Sequence, residues 1–122
     1  MAYIKSYKEL IVWQKSIQLV KETFILTYLF PKSELYGIIS QMRRAAISIP
    51  SNIAEGYGRR SKKEYAQFYS IAYGSALELE TQLIIAKDLG LAEKSKFLKT
   101  EQLLEEVLRM LNAMTAKMKI GN

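Results

Sequence analysis

The sequence predicts an all-α fold, an antiparallel up-down-up-down four-helix bundle, on three observations. Four segments of the 122-residue chain carry apolar residues at helical spacing. The stretches between them are short, so consecutive helices must run antiparallel. No segment shows the alternation that is typical of a half-buried strand. We therefore expect one domain over residues 1–122, with helices at about 7–30, 34–57, 62–89 and 93–119.

The first predicted helix carries an apolar stripe at spacings of three and four residues, and Pro31 ends it. We expect this stripe to face the core. Its members are Trp13, Ile17, Val20, Phe24 and Tyr28.

The second predicted helix begins after Ser33, a residue type that caps helix N-termini, and Gly56 and Gly58 close it. Pro50 removes one backbone hydrogen bond, so we expect a kink or an interruption there. The predicted core face consists of Leu35, Ile39, Met42, Ala46, Ile49 and Ile53.

The third predicted helix opens with Ser61 and Glu64, which form a capping box, and stops at Gly90. Its inward face includes Tyr65, Tyr69, Ala72, Ala76, Leu79, Leu83 and Ala86. Tyr65, Tyr69 and Tyr73 form a stripe that is more typical of core or interface than of base stacking. In the fourth helix we expect Phe97, Leu104, Leu108 and Leu111 inward, with Leu103 and Val107 beside them.

The second helix has a further apolar face, which contains Tyr36, Ile47 and Ala54. A helix that is apolar on most sides is usually buried on most sides, so we expect this face to contact another protomer. The alternative is a small apolar surface patch. A third, polar stripe predicts a network that fixes helix register, in which Arg44 and Glu55 are able to pair. The stripe consists of Gln41, Arg44, Ser48, Asn52 and Glu55.

The net charge of +6 is concentrated between residues 36 and 63. Arginine and lysine near a helix N-terminus favour phosphate ligands, so these positions are candidates for nucleic-acid binding. The alternative is a solvated basic loop that only maintains solubility. The candidates are Arg43, Arg44, Arg59, Arg60, Lys62 and Lys63.

The sequence contains neither cysteine nor histidine, which excludes disulfides, thiolate or imidazole metal sites and most nucleophilic catalysis. We expect no catalytic residues, no cofactor and no metal. No uncharged run reaches the length of a membrane span and no secretory leader is recognisable, so the expected location is the cytoplasm.

Residues 36–56, with the sequence YGIISQMRRAAISIPSNIAEG, resemble the signature of the four-helix-bundle proteins of the 23S ribosomal RNA intervening-sequence family. Val12-Trp13-Gln14, Phe30-Pro31 and Gly74-Ser75 support the resemblance, which covers about residues 7–115. The family is bacterial and is similar to the accessory variability determinants of diversity-generating retroelements. Those proteins form cyclic pentamers, bind nucleic acid and engage a reverse transcriptase, so the resemblance implies a homopentameric ring with a basic surface for this chain.

The leading hypothesis is a non-catalytic homo-oligomer that binds RNA or DNA through phosphates with little sequence specificity. The alternative is a scaffold that docks a protein partner such as a reverse transcriptase without touching nucleic acid. No membrane partner is expected.

Overall fold

The computed structural model describes the backbone of residues 5–120 and the side chains of residues 5–116. This part of the chain contains four α-helices and no strand, which confirms the all-α bundle. They are α1 (Ile11–Tyr28), α2 (Ser40–Tyr57), α3 (Lys62–Asp88) and α4 (Leu98–Ile120). Helix α1 packs against α2 and α4, and α3 packs against the same two helices. Within residues 5–120, no helix combines the length and the apolar character that a bilayer crossing needs.

The ends of α1 and α2 differ from the sequence prediction. A 3-10 turn at Tyr7–Glu9 precedes α1, and extended Leu10 separates the two. Ser33 is not an N-cap, because it lies inside a 3-10 turn at Lys32–Glu34. A wide π turn then follows at Leu35–Ile39, where Gly37 leaves helical geometry at φ −111° and ψ −114°.

The predicted core stripe of α1 is wrong. Trp13, Ile17 and Val20 are only half-buried, and Phe24 and Tyr28 are exposed. The face that points inward carries hydroxyls as well as apolar side chains, and its residues are Val12, Ser16, Leu19, Thr23, Leu26 and Thr27. The three hydroxyls donate to carbonyl oxygens one turn earlier in the helix, at 2.7–2.8 Å. Because each buried hydroxyl is satisfied locally, α1 places Ser and Thr in the core without an unpaired donor.

The core face of α2 is largely as predicted, since Ile39, Met42, Ala46, Ile49 and Ile53 are buried. Leu35 is the exception, because the π turn leaves it exposed. The expected interruption at Pro50 is wrong, because α2 continues through this residue to Tyr57.

Both predicted ends of α3 are confirmed. The Ser61 hydroxyl accepts from the Glu64 amide at 3.2 Å. At the other end Gly90 has φ +68°, a conformation that suits glycine, and it allows the Leu91 amide to reach the Ala86 carbonyl at 3.1 Å. The Gly90 amide donates to the Lys87 carbonyl at 3.1 Å, which completes a Schellman motif.

A 3-10 turn at Lys94–Phe97 leads into α4. The structure buries three of the residues predicted to face inward, Phe97, Leu104 and Leu111, and leaves the fourth, Leu108, half-buried. Two residues predicted to lie beside them, Leu103 and Val107, are buried in the core. Ion pairs of 3.0–3.5 Å then join α4 to both neighbours: Lys15–Glu106 and Glu22–Lys99 to α1, and Lys87–Glu101 to α3.

Candidate nucleic-acid interface

Exposed cations gather at the end of the bundle where α2 passes into α3. Arg59 and Arg60 lie in the connection, and Lys62 and Lys63 lie in the first turn of α3. The 3-10 turn before α1 contacts α2 at this same end and adds the exposed Lys8. We call this group of five cations, Lys8, Arg59, Arg60, Lys62 and Lys63, the basic end.

Arg59 is held in place by two neighbours. Its guanidinium donates to the Glu55 carboxylate at 3.1 Å, one turn earlier on α2, and lies 4.6 Å from the centre of the Phe68 ring. Glu55 therefore pairs with Arg59, so the expected pairing of Arg44 with Glu55 is wrong. Eleven helical residues separate Arg44 from Glu55, about 16 Å along the axis, which is too far for an ion pair.

Arg43 is tied to the neighbouring helix. Its Nε donates to the Thr27 hydroxyl at 2.9 Å, and its guanidinium lies 4.6 Å from the centre of the Phe24 ring. These contacts join α2 to α1 and leave Arg43 half-buried. Arg43 lies 16 residues before Arg59, about 24 Å along a helix, so the six predicted phosphate contacts do not form one patch within a protomer.

The predicted polar stripe of α2 divides into three parts. The Ser48 and Ser75 hydroxyls lie 2.8 Å apart, and the Asn52 amide donates to the Ser48 carbonyl and hydroxyl at 2.8 and 2.9 Å. This contact fixes the register of α2 on α3. Two further members, Gln41 and Arg44, line an open polar pocket of about 280 Å³ with Ala45, Ser48 and Glu78, and the fifth member, Glu55, pairs with Arg59.

An apolar groove of about 320 Å³ runs between α1 and α2. It contains two of the three predicted interface residues, Ile47 and Ala54, while the third, Tyr36, lies in the π turn and is 94% exposed. We call it the α1/α2 groove, and its lining residues are Tyr7, Trp13, Ile17, Val20, Ile47, Pro50, Ser51 and Ala54. Three residues of the predicted α1 stripe, Trp13, Ile17 and Val20, therefore join the second apolar face of α2 in this groove.

The tyrosines of α3 belong mainly to the bundle interior. Tyr69 is buried, and its ring stacks on that of Tyr65 with the centroids 6.2 Å apart. Burial, and then the neighbouring Tyr65 and Tyr57, raise the pKa of Tyr69 above its ordinary value, so its phenol stays protonated at neutral pH. Tyr65 and Tyr73 are half-buried beside the core, as the preferred interpretation of the stripe expected.

Two residues of this end were missed by sequence reasoning, Tyr7 and Lys8. Tyr7 lines an open cleft of about 640 Å³ that also includes Glu55, Gly58 and Arg59. The turn is capped by Ser6, whose hydroxyl accepts from the Lys8 amide at 3.2 Å. Serine also occurs in many unstructured stretches, so this residue alone did not predict the turn. Among the described residues, acidic side chains form no group of three that would hold a metal ion.

The molecule is a four-helix bundle with one basic end and an uncovered apolar groove along one side. The chain belongs to the 23S rRNA-intervening sequence protein family, whose family model matches residues 8–113. No curated protein matches it. A crystal structure of a protein with unknown function from the S23 ribosomal protein family of Bacteroides thetaiotaomicron shares the fold, with a TM-score of 0.79 and 19% identity. The match covers 86% of this chain and 98% of that protein.

Proposed function

We propose that the protein is a non-catalytic homo-oligomer that binds RNA or DNA through phosphates at the basic end, with little preference for base sequence. The observation that carries the proposal is the cluster of exposed cations around the α2–α3 connection. Within residues 5–116, no ion pair involves Arg60, Lys62 or Lys63, so their charges are available to a ligand.

The local backbone adds to the attraction for phosphate. Arg60 directly precedes Ser61, the N-cap of α3, and Lys62 and Lys63 occupy its first turn. A helix N-terminus offers free amide donors and the positive end of the helix dipole, both of which favour anions. Such contacts fix a phosphate backbone but do not identify bases, which accounts for the low sequence specificity.

Assembly would bring several copies of the basic end together, each of which binds phosphate only weakly on its own. The α1/α2 groove exposes apolar surface that a second protomer is suited to cover, and Ile47 is 45% exposed at its edge. In a closed ring the basic ends repeat at fixed spacing, so several loops contact one polyanion at once and the affinities combine.

The scaffold alternative is supported by a different observation. Tyr28 and Tyr36 are 83% and 94% exposed, outside the groove. Exposed aromatic side chains are typical anchors of protein contacts. In that case the apolar surface would bind a protein partner, and nucleic-acid affinity would not depend on the basic end.

Matched charge changes at the two ends of the bundle test the proposal. One variant carries Arg60→Gln, Lys62→Gln and Lys63→Gln. The control carries Lys32→Gln, Lys94→Gln and Lys96→Gln, which removes three exposed cations at the opposite end. Binding of a fluorescently labelled RNA of about 20 nucleotides is measured by anisotropy at one fixed salt concentration.

We expect the basic-end variant to bind at least tenfold more weakly than the control, while both keep the parent's melting temperature because exposed charges contribute little to folding. Equal affinities of the two variants would reject the basic end as the site. If the parent does not bind RNA or DNA, the scaffold function takes the leading place.

A further inference from the structure

The open cleft at the basic end combines an aromatic ring, a cation and a carboxylate. It lies between the 3-10 turn before α1 and the last turns of α2, and it shares Tyr7, Ser51 and Ala54 with the α1/α2 groove. We call it the Tyr7 cleft, and it is lined by Tyr7, Ser51, Ala54, Glu55, Gly58 and Arg59. Its volume of about 640 Å³ lies within the range of small-ligand pockets.

The ring of Tyr7 is fixed before any ligand arrives. The turn that carries it is capped by Ser6 and closed by a hydrogen bond of 3.0 Å from the Leu10 amide to the Tyr7 carbonyl. The ring meets that of Trp13 edge to face, with the centroids 5.3 Å apart. Nζ of Lys8 lies 6.0 Å from the ring centre. A half-buried ring with these neighbours loses little conformational freedom when a flat ligand stacks on it.

The charges decide which part of a nucleic acid enters the cleft. Glu55 lines it and would repel a phosphate placed inside. The ion pair with Glu55 holds the Arg59 guanidinium at the same wall of the cleft. A base, which is flat and uncharged, is compatible with the carboxylate and the aromatic ring, while the flanking phosphates reach the cations outside.

We propose that the Tyr7 cleft binds an unpaired base of a single-stranded nucleic acid, which stacks on Tyr7 while Lys8 and Arg60 contact the adjacent phosphates. This inference rests on the proposed function and narrows its ligand to single strands. The bases of a duplex are already stacked and paired, so they do not reach a ring within a cleft. Stacking on an aromatic side chain accepts every base, which agrees with low sequence specificity.

Trp13 provides the readout. It is the single tryptophan of the chain, and its ring touches Tyr7. A 12-nucleotide oligothymidylate and a blunt duplex of the same length are titrated into the parent, into Tyr7→Leu and into Tyr7→Phe, with Tyr28→Leu as the control for loss of an exposed tyrosine elsewhere. Affinity and Trp13 fluorescence are recorded together.

The parent and Tyr7→Phe should bind the single strand more tightly than the duplex, with a change in Trp13 fluorescence. Tyr7→Leu should bind the single strand about 5- to 150-fold more weakly, the range that stacking of one base supplies. Tyr28→Leu should behave as the parent.

Parental affinity of Tyr7→Leu, or equal affinity of the parent for both strands without a fluorescence change, would overturn the inference and leave the proposed function standing. No binding of either nucleic acid by the parent would overturn both. Because Tyr7 also lines the α1/α2 groove, the mass of each variant is measured. If Tyr7→Leu dissociates, Ile47→Asp supplies a dissociated protein with Tyr7 intact: equal affinities of these two variants reject the inference, and weaker binding by Tyr7→Leu supports it.

Discussion

Ile47→Asp should dissociate the oligomer while leaving the protomer folded. Ile47 is 45% exposed, so about half of its side chain contributes to the bundle itself. Complete burial of an isoleucine is worth about 1.5–3 kcal/mol, and the substitution should therefore lower the free energy of unfolding by roughly 1–1.5 kcal/mol. An aspartate enclosed by an apolar contact without a partner costs about 3–5 kcal/mol, which corresponds to about 150- to 4000-fold weaker association per contact.

Ile85→Asp is the matched control, because Ile85 is also 45% exposed but lies on α3, outside the α1/α2 groove. Light scattering after size-exclusion chromatography compares each mass with the 14.0 kDa protomer, and thermal denaturation compares the folds. The parent should have several times the protomer mass, with five times expected for a pentamer, and only Ile47→Asp should fall to one. Parental mass of Ile47→Asp, or equal dissociation of both variants, would refute the assignment of the interface to the groove.

Three further substitutions test the packing. Arg43→Leu should lower the free energy of unfolding in urea by about 1–3 kcal/mol, since it removes a charged hydrogen bond to Thr27 and the contact with Phe24, and RNA affinity should stay at the parental value. Weaker RNA binding with an unchanged free energy of unfolding would indicate instead that Arg43 contacts nucleic acid. Pro50→Ala should leave the free energy of unfolding of the protomer unchanged or raise it, because the helix regains an amide donor. The same substitution should weaken assembly, because the proline ring that lines the groove is lost, and unchanged assembly would contradict a role of Pro50 in the contact. Gly56→Ala should destabilise the fold by about 1–3 kcal/mol in the same assay, because the added Cβ would lie 3.1 Å from Phe68 Cβ and from Tyr69 Cε1, and an unchanged midpoint would show that α3 yields at no cost.

Helix number, order and several ends could be predicted from the sequence because local chemistry determines them. Ser61 caps α3 through its own side chain, and Gly90 ends it through a backbone conformation that suits glycine. Neither signal depends on distant parts of the chain. The core of α3 followed from its apolar spacing, because its predicted inward residues from Tyr69 to Ala86 are buried on one face.

The inward face of α1 could not be read from hydrophobicity alone. Its core positions include Ser16, Thr23 and Thr27, whose hydroxyls are satisfied within the helix, while an apolar stripe of equal regularity lies at the surface. The sequence alone does not show which of two stripes at helical spacing is buried. Packing of α1 against α2 and α4 determines which one faces the core.

The candidate site was predictable only in part. A run of four cations within five residues, Arg59 to Lys63, identifies the basic end directly. Arg43 has the same charge but is turned toward Thr27 by helix packing, and the Tyr7 cleft arises only when residues 7 and 59, distant in sequence, meet at one end of the bundle.

The salt dependence of binding tests the phosphate contacts at the basic end most directly. The logarithm of the RNA association constant is measured against the logarithm of the salt concentration for the parent and for the double variant Arg60→Gln, Lys62→Gln, which removes two cations that no described ion pair involves. Each neutralised phosphate contributes about 0.7 to 0.9 to the slope, so the double variant should have a slope that is flatter by about 1.4 to 1.8, with equal loss of affinity for unrelated sequences. An unchanged slope and affinity in the double variant would contradict binding through the basic end.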